Sequence, residues 1–332
     1  MANQTPRHFT VVIVGSGIAG ISLARALAHE GIHSIVLEKR SQAAAIGGGA
    51  SIGIFPNGAK WLDELGLFDE ILRSSDPILK SYLWSDDALL SRRNYPRTVF
   101  CRLGYPILFI QRHMLLGTLH HGLPKRFIQV VYENEVISIE QMTEIVSITC
   151  DDGSVLFGSL VVGADGMGSI VQGKIKEHDQ SENFNPPVEF SCIYGVSKFT
   201  ENFTKDTLHQ SYNWGYSVTA VNNRDETYWC VYLKDNTSTV SSNVKTHEPL
   251  ETLLQPILFK DFACGTNLSE LLATATARCH FPLKERLSTK WSHGRLVSIG
   301  DAVHKLREVA HFSGWSQTWG KEATWQLKTR QL

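Results

Sequence analysis

No apolar run in the 332-residue sequence approaches the ~20 residues that a helix needs to cross a bilayer. The longest candidates, residues 11–14 and 160–162, end in glycine and charge after a few positions. An excess of either charge is also missing. Lys and Arg number 32 against 33 Asp and Glu, a formal charge of −1, so no global field gathers nucleic acid or an anionic membrane. The six cysteines form no CxxC pair and lie far apart, which reads as reduced thiols of a cytosolic protein and predicts no metal site. The first eight residues carry no apolar signal core, so secretion is not expected and the sequons at Asn202 and Asn236 read as chance matches. Internal repeats and low-complexity stretches are absent. What remains, 42% hydrophobic and 20% charged residues over a length that fits two domains, is ordinary globular composition and excludes collagen-like and disordered chains.

The strongest feature lies near the start. Residues 9–14 (FTVVIV) are wholly apolar and rich in β-branched side chains, as in a strand buried on both faces. GSGIAG follows at 15–20, then a helical pattern to Gly31, then a second short strand at 33–38 that ends in Glu38. Each part has a physical reason. Gly15 permits a tight turn, Gly17 lets backbone approach a pyrophosphate, and Gly20 lets helix and strand pack closely. The helix N-terminus supplies free N–H groups and partial positive charge. A carboxylate at the end of the second strand accepts the hydroxyls of an adenosine ribose and disfavours a 2′-phosphate, so FAD or NAD is expected there rather than NADP.

Further along, residues 43–54 are rich in Gly and Ala and read as a loop with close backbone approach to a ligand. Residues 59–72 read as a helix interrupted at Gly66. Four short alternating runs between 127 and 162 read as antiparallel strands. Runs at 188–196, 211–220 and 227–233, studded with aromatic residues, read as a second, sheet-rich domain, and 295–299 as one more apolar strand.

The phrases VVIVGSGIAGISLARAL, IVLEKR, GASIGIFPNGAKWLDELGL, LVVGADGMGS and W-x-x-GRLVSIGDAVHK, in order from residue 10 to residue 305, resemble the FAD-dependent aromatic-hydroxylase-type monooxygenases. The likeness is to the fungal branch that epoxidises prenyl chains or hydroxylates aromatic and indole substrates. It implies a doubly wound α/β, Rossmann-like FAD-binding domain made of residues 1–80, 106–180 and 281–305, with an inserted sheet-rich substrate domain of 81–105 and 181–280. It implies FAD, transient NADPH, and insertion of one oxygen atom from O2 into a small apolar substrate. By the same resemblance Gly15, Gly17 and Gly20 line the pyrophosphate and Glu38 holds the ribose. Gly53 lies against the flavin, Arg112 reaches the phosphate or ribose, Asp165 belongs to the DG motif, and Asp301 meets the ribityl chain or phosphate.

Plainer roles stand beside these. Arg112 can be a solvated helix-start arginine, Asp165 a turn cap, Asp301 a helix N-cap and His304 a structural histidine. Tyr216 is either a phenol that protonates or orients an oxygen, the catalytic candidate, or a cross-strand aromatic in the core; Tyr194 has the same two readings. Alternative readings of the whole are an NADH-dependent reductase and a truncated, catalytically weak FAD-binding homologue.

Two stretches depart from the family pattern. Gln172 stands where the family's DG motif runs on to an arginine. After GDAVHK, residues 306–332 carry no Pro, no Gly-Gln-Gly turn and no small-residue helix, so this tail is expected to be foreign to the fold and to leave the flavin-ring half of the site without its helix N-terminus. The family's downstream helices, some of which anchor members to membranes, are not seen in this tail.

Overall fold

The computed structural model describes residues 7–49, 51–178, 188, 190–234 and 250–305. The atypical tail at 306–332 lies outside the described residues.

The chain opens with β1 (Arg7–Val14), α1 (Ile18–His29) and β2 (Ser34–Leu37), followed by a short α2 (Gln42–Ile46) and β3 (Ser51–Ile54). Residues 43–54 are thus a helical turn and a strand rather than a loop, Ser41 capping α2 through its side chain. Pro56 opens α3 (Pro56–Glu64), and Gly66 at φ +70 separates it from α4 (Phe68–Arg73), the break read from the sequence. The hairpin β4 (Lys80–Ser85) and β5 (Ala88–Arg93) precedes α5 (Tyr95–Leu103), which ends on Gly104 at φ +77. Next come β6 (Leu108–Gln111), α6 (Arg112–His120), β7 (Ile128–Val131), β8 (Val136–Gln141), β9 (Val146–Cys150), β10 (Val155–Gly163) and α7 (Ile170–Lys176).

Four longer strands follow, β11 (Phe190–Lys198), β12 (Thr207–Asn213), β13 (Tyr216–Asn223) and β14 (Glu226–Lys234). The run at 211–220 is therefore two strands, reversed at Trp214–Gly215 where Gly215 takes φ +81. The remainder is α8 (Leu250–Leu254), β15 (Asp261–Ala263), β16 (Thr266–Asn267), α9 (Leu268–Ala273), β17 (Ala275–Pro282), β18 (Arg286–Leu287), β19 (Ser292–His293), β20 (Leu296–Ser298) and β21 (His304–Lys305).

The first sheet has the order β19-β20-β10-β1-β2-β7, with β8 and β9 hung from β10. Strands β20, β10, β1, β2 and β7 run parallel. Of the runs expected to be antiparallel, β8, β9 and β10 pair so with one another, whereas β7 pairs parallel with β2 and β10 parallel with β1. The apolar sequence of β1 follows from this centre position. Val11 and Ile13 face one core with α1, α3, α4 and α6, while Val12 and Val14 face a second with β8, β9 and α7. Each such buried side chain contributes roughly 1.5–3 kcal/mol.

The second sheet has the order β17-β11-β14-β13-β12-β4-β5. Alternation again splits its faces. Ile193, Val218, Ala220 and Val231 pack against the α8–α9 segment. Val196, Leu208, Val221 and Tyr228 pack against Ile78, Ile107 and Phe109, which belong to the segments flanking α3–α6. The sheets thus draw on interleaved stretches of sequence, and the second packs one face on β6, which pairs with β3. The fold is the α/β one expected, a doubly wound parallel sheet with a sheet-rich partner.

Candidate functional site

The turn between β1 and α1 lies at the carboxyl end of the parallel strands, where doubly wound sheets bind ligands. Gly15 takes φ +100, and a Cβ there would come within 2.5 Å of the Ala164 carbonyl oxygen. A Cβ on Gly20 would lie 2.0 Å from the Gly15 carbonyl oxygen, so only glycine allows this approach of helix to strand. A Cβ on Gly17 would meet nothing within 4 Å; the space beside it is open. Gly17 is also the N-cap of α1, with no side-chain cap, so the first-turn N–H groups face that space without a capping acceptor.

Glu38 is 4% exposed and fully engaged. Its Oε2 accepts from the Ser16 backbone N–H and hydroxyl, both at 2.9 Å, and its Oε1 from the Arg40 N–H at 3.0 Å and Nε at 2.9 Å. Burial alone would raise its pKa; the four donors outweigh that and hold it at about 2. A carboxylate has about four lone-pair positions, so a ribose hydroxyl binds Glu38 only by taking the place of a Ser16 or Arg40 donor. Neither Ser16 nor Arg40 was singled out in the sequence, although SG and EKR sit inside the motifs.

Arg112 opens α6, and the Gly48–Gly49 turn lies along its aliphatic stem, a Cβ on Gly49 falling 2.9 Å from its Cδ. The Arg112 guanidinium is pushed down by burial and by Arg40, against the pull of Asp301. Residues from three distant segments therefore share one field. Among the described residues Arg112 forms no hydrogen bond or ion pair, so it is a half-buried cation open to an anionic ligand. Asp301 sits in a short helical turn (Gly300–Ala302) with its carboxylate 3.9 Å from Lys305 Nζ, and a Cβ on Gly300 would lie 3.0 Å from Ala19 Cβ, in the first turn of α1.

Asp165 sits beside Gly15, its Cα 3.0 Å from where a Gly15 Cβ would be. Its Oδ2 accepts from the Ile170 N–H at 2.8 Å, which caps the approach to α7. Its Oδ1 is buried without a partner among the described residues, and burial pushes the carboxyl up. The cap reading thus holds for one oxygen, while the other is left buried and unpaired among the described residues. Gln172, at the departure from the DG motif, is buried and donates to the Lys290 carbonyl at 2.9 Å.

Gly53 lies on β3 opposite Phe109 of β6, with the rings of Phe109 and Phe55 each 3.4 Å from a built Cβ. Tyr216 does not join this group. Its ring packs with Val218 and Ala220 on the α8–α9 face of the second sheet, and its buried hydroxyl has no partner among the described residues. Of the two readings of Tyr216, this packing is that of a cross-strand aromatic in the core. Tyr194, two residues before Val196, lies on the Phe109 face and within the field of Arg112. Gln111, next to Arg112, donates to Glu226 at 2.7 Å, and Tyr228 donates to the same carboxylate at 3.2 Å, tying β6 to the second sheet.

An open glycine turn, an uncapped helix mouth, an ionised carboxylate, two arginines and an orphaned carboxylate oxygen fit an adenine dinucleotide with its pyrophosphate at α1. Fold and site define a dinucleotide-binding α/β protein. The FAD-binding domain family matches residues 8–309. The FAD-dependent monooxygenase cdmI of Talaromyces verruculosus is 32% identical over 320 residues, covering 90% of this chain and 64% of that protein. The FAD-dependent monooxygenase penM of Penicillium crustosum is 33% identical over 306 residues, 90% of this chain and 64% of that protein. The FAD-dependent monooxygenase ptmM of Penicillium ochrochloron is 32% identical over 314 residues, 90% of this chain and 73% of that protein. Among solved structures, Klebsiella pneumoniae HpxO complexed with FAD and uric acid superposes with TM-score 0.74 at 19% identity, over 90% of this chain and 74% of that one. PqsL, a probable FAD-dependent monooxygenase from Pseudomonas aeruginosa, does so with TM-score 0.74 at 18%, over 92% and 81%. The chain belongs to the FAD-binding domain family, alongside the fungal FAD-dependent monooxygenases, and its cofactor is FAD. It spans 64% of the length of the first two relatives.

Proposed function

We propose that the protein is an FAD-dependent monooxygenase of fungal secondary metabolism, acting on a prenylated or aromatic small molecule by epoxidation or hydroxylation. Bound FAD, reduced by NAD(P)H, supplies the activation of O2. The chain binds and orients it. In this reading Gly15, Gly17, Gly20 and the first turn of α1 take the pyrophosphate, and Glu38 takes the ribose in exchange for one of its present donors. Arg112 and Asp301 meet the phosphate and ribityl region, Asp165 stands beside the Gly15 turn, and Gly53 lies against the flavin. The phenol on the flavin side is Tyr194; Tyr216 serves the core.

The observation that carries this reading is that Arg40, bonded to Glu38 beside Ser16, and the Gly300–Asp301 turn, against Ala19, meet at the mouth of α1 from separate segments, with Arg112 in the field of both Arg40 and Asp301. A simple dehydrogenase has no use for the last of these. The apolar seam at Phe109 and the aromatic second sheet suit a substrate held away from water. No disulfide joins the cysteines among the described residues. No helix among the described residues is long and apolar enough to cross a membrane.

The test is to reconstitute the full chain with FAD and follow NADPH oxidation under labelled O2, with a panel of prenylated indoles and isoprenoid phenols. Substrate-stimulated oxidation with one labelled oxygen in the product is expected. Bound flavin with neither stimulation nor label across the panel would overturn the proposal.

A further inference from the structure

The residue between the two leading glycines is held on every polar group it has. The Ser16 N–H and hydroxyl both donate to Glu38 Oε2 at 2.9 Å. Its carbonyl oxygen lies 3.2 Å from His120 Nε2, at the end of α6. A carbonyl only accepts, so His120 carries its proton on Nε2 and donates. The other ring nitrogen, Nδ1, is 2.9 Å from the Tyr132 hydroxyl, which donates to it and fixes the tautomer. Burial pushes the His120 imidazole down, in keeping with a neutral ring. The end of α6 is itself pinned to α1, since the Arg25 guanidinium donates to the carbonyls of Thr118, Leu119 and His121.

The peptide joining Ser16 to Gly17 is trans and planar, as the described residues contain no cis bond. Its N–H therefore points opposite to its carbonyl. With the carbonyl drawn to His120, the Gly17 N–H is turned away from α6 into the open side of the turn, where a Cβ on Gly17 would meet nothing within 4 Å.

We infer that His120, oriented by Tyr132, is a positioning residue for the pyrophosphate of FAD: it sets the Ser16–Gly17 peptide so that the Gly17 N–H is presented to the phosphate before the cofactor arrives. The inference concerns the cofactor site alone and stands apart from the oxygen-transfer reading. Preorganised backbone donors avoid the ordering cost that a free glycine turn would bear on binding.

The experiment titrates the full-length apoprotein with FAD and, separately, with ADP, by calorimetry. The apoprotein's melting midpoint is recorded in parallel. His120→Leu is expected to weaken both nucleotides about tenfold, the scale of one lost buried hydrogen bond. His120→Gln, which still places an N–H near the Nε2 position, is expected to stay within about threefold of the wild type on the same scale. Tyr132→Phe, which leaves the ring nitrogen unoriented, is expected to fall between them with an unchanged melting midpoint. His120→Leu binding as wild type, His120→Gln no better than His120→Leu, or a loss for FAD that ADP does not share would each overturn the inference. Should His120→Leu not fold, Tyr132→Phe decides, wild-type affinity there being the overturning result. A wild-type chain that binds neither nucleotide refutes the cofactor site itself, a separate outcome.

Discussion

His209 is 1% exposed, between the rings of Phe203 at 4.6 Å and Trp84 at 5.9 Å, with its Nε2 unpartnered among the described residues. Burial holds its imidazole at about 4. In the unfolded chain a histidine takes up a proton near pH 6.5. Between about 6.5 and 4 the unfolded state therefore binds a proton that the native state refuses, and stability falls as pH falls. The full effect is about 3 kcal/mol. Glu38 acts in a lower window. Its native value of about 2 lies below the unfolded one near 4.5, so the stability it contributes is present above about pH 4.5 and lost toward 2. Chemical denaturation at pH 7, 5 and 3 is expected to show both declines. His209→Phe removes the first and leaves the second. A variant whose stability still drops between pH 7 and 5 as steeply as wild type would refute the role of this ring. The first effect is not readable from the sequence, because burial of a lone histidine in HQSYN depends on aromatic partners at Trp84 and Phe203. Glu38 was legible for the opposite reason: strand, glycine turn, helix and acid are contiguous, and their spacing alone closes the unit.

At the scale of elements, glycine contacts decide how closely pieces approach. Trp229 lies across Gly195 on the neighbouring strand, so that a Cβ there would fall 2.1 Å from its Cζ2. The indole N–H donates to Ser197 Oγ at 2.8 Å, and that hydroxyl donates to the Leu271 carbonyl at 2.6 Å, fastening α9 to the sheet. Gly195→Ala displaces the ring and breaks this chain; a loss of roughly 1–3 kcal/mol is expected in urea unfolding, the scale of overpacking. Gly20→Ala meets backbone rather than a ring, at 2.0 Å, and is expected to abolish FAD binding while leaving the second sheet folded, as read by flavin titration and tryptophan fluorescence. The run at 211–220 shows where sequence pattern stops. Alternation has period two, so a reversal at Trp214–Gly215 inside an apparent single run leaves the faces of its side chains unset by the pattern alone. Likewise the parallel pairing of β7 with β2 leaves no local mark, since its partner lies some ninety positions back and only the twist of the whole sheet selects it.

The whole molecule has a core in which the second sheet meets the segment from Ile78 to Phe109. Phe109, Ile107 and Ile78 pack with Val196, Leu208, Val221 and Tyr228, while Gln111 and Glu226 bond across the same seam. A shared core couples the two halves, so a single cooperative unfolding transition is expected for the wild type. Phe109→Ala, which empties this seam at a cost of about 3–5 kcal/mol, is expected to split the transition, with the fluorescence and circular-dichroism curves no longer coinciding. One coincident transition in both proteins would show that the coupling runs elsewhere.

The interleaved strand order also constrains biogenesis. The middle of the parallel sheet sets β1, the earliest described strand, beside β10 and then β20, whose last residue is Ser298. A chain emerging from the ribosome therefore holds a naked strand edge on β10 until almost the whole described polypeptide has been translated. Stalled nascent chains should stay sensitive to protease at this sheet until Ser298 has cleared the exit tunnel, and chaperones that shield open edges should engage them during that wait.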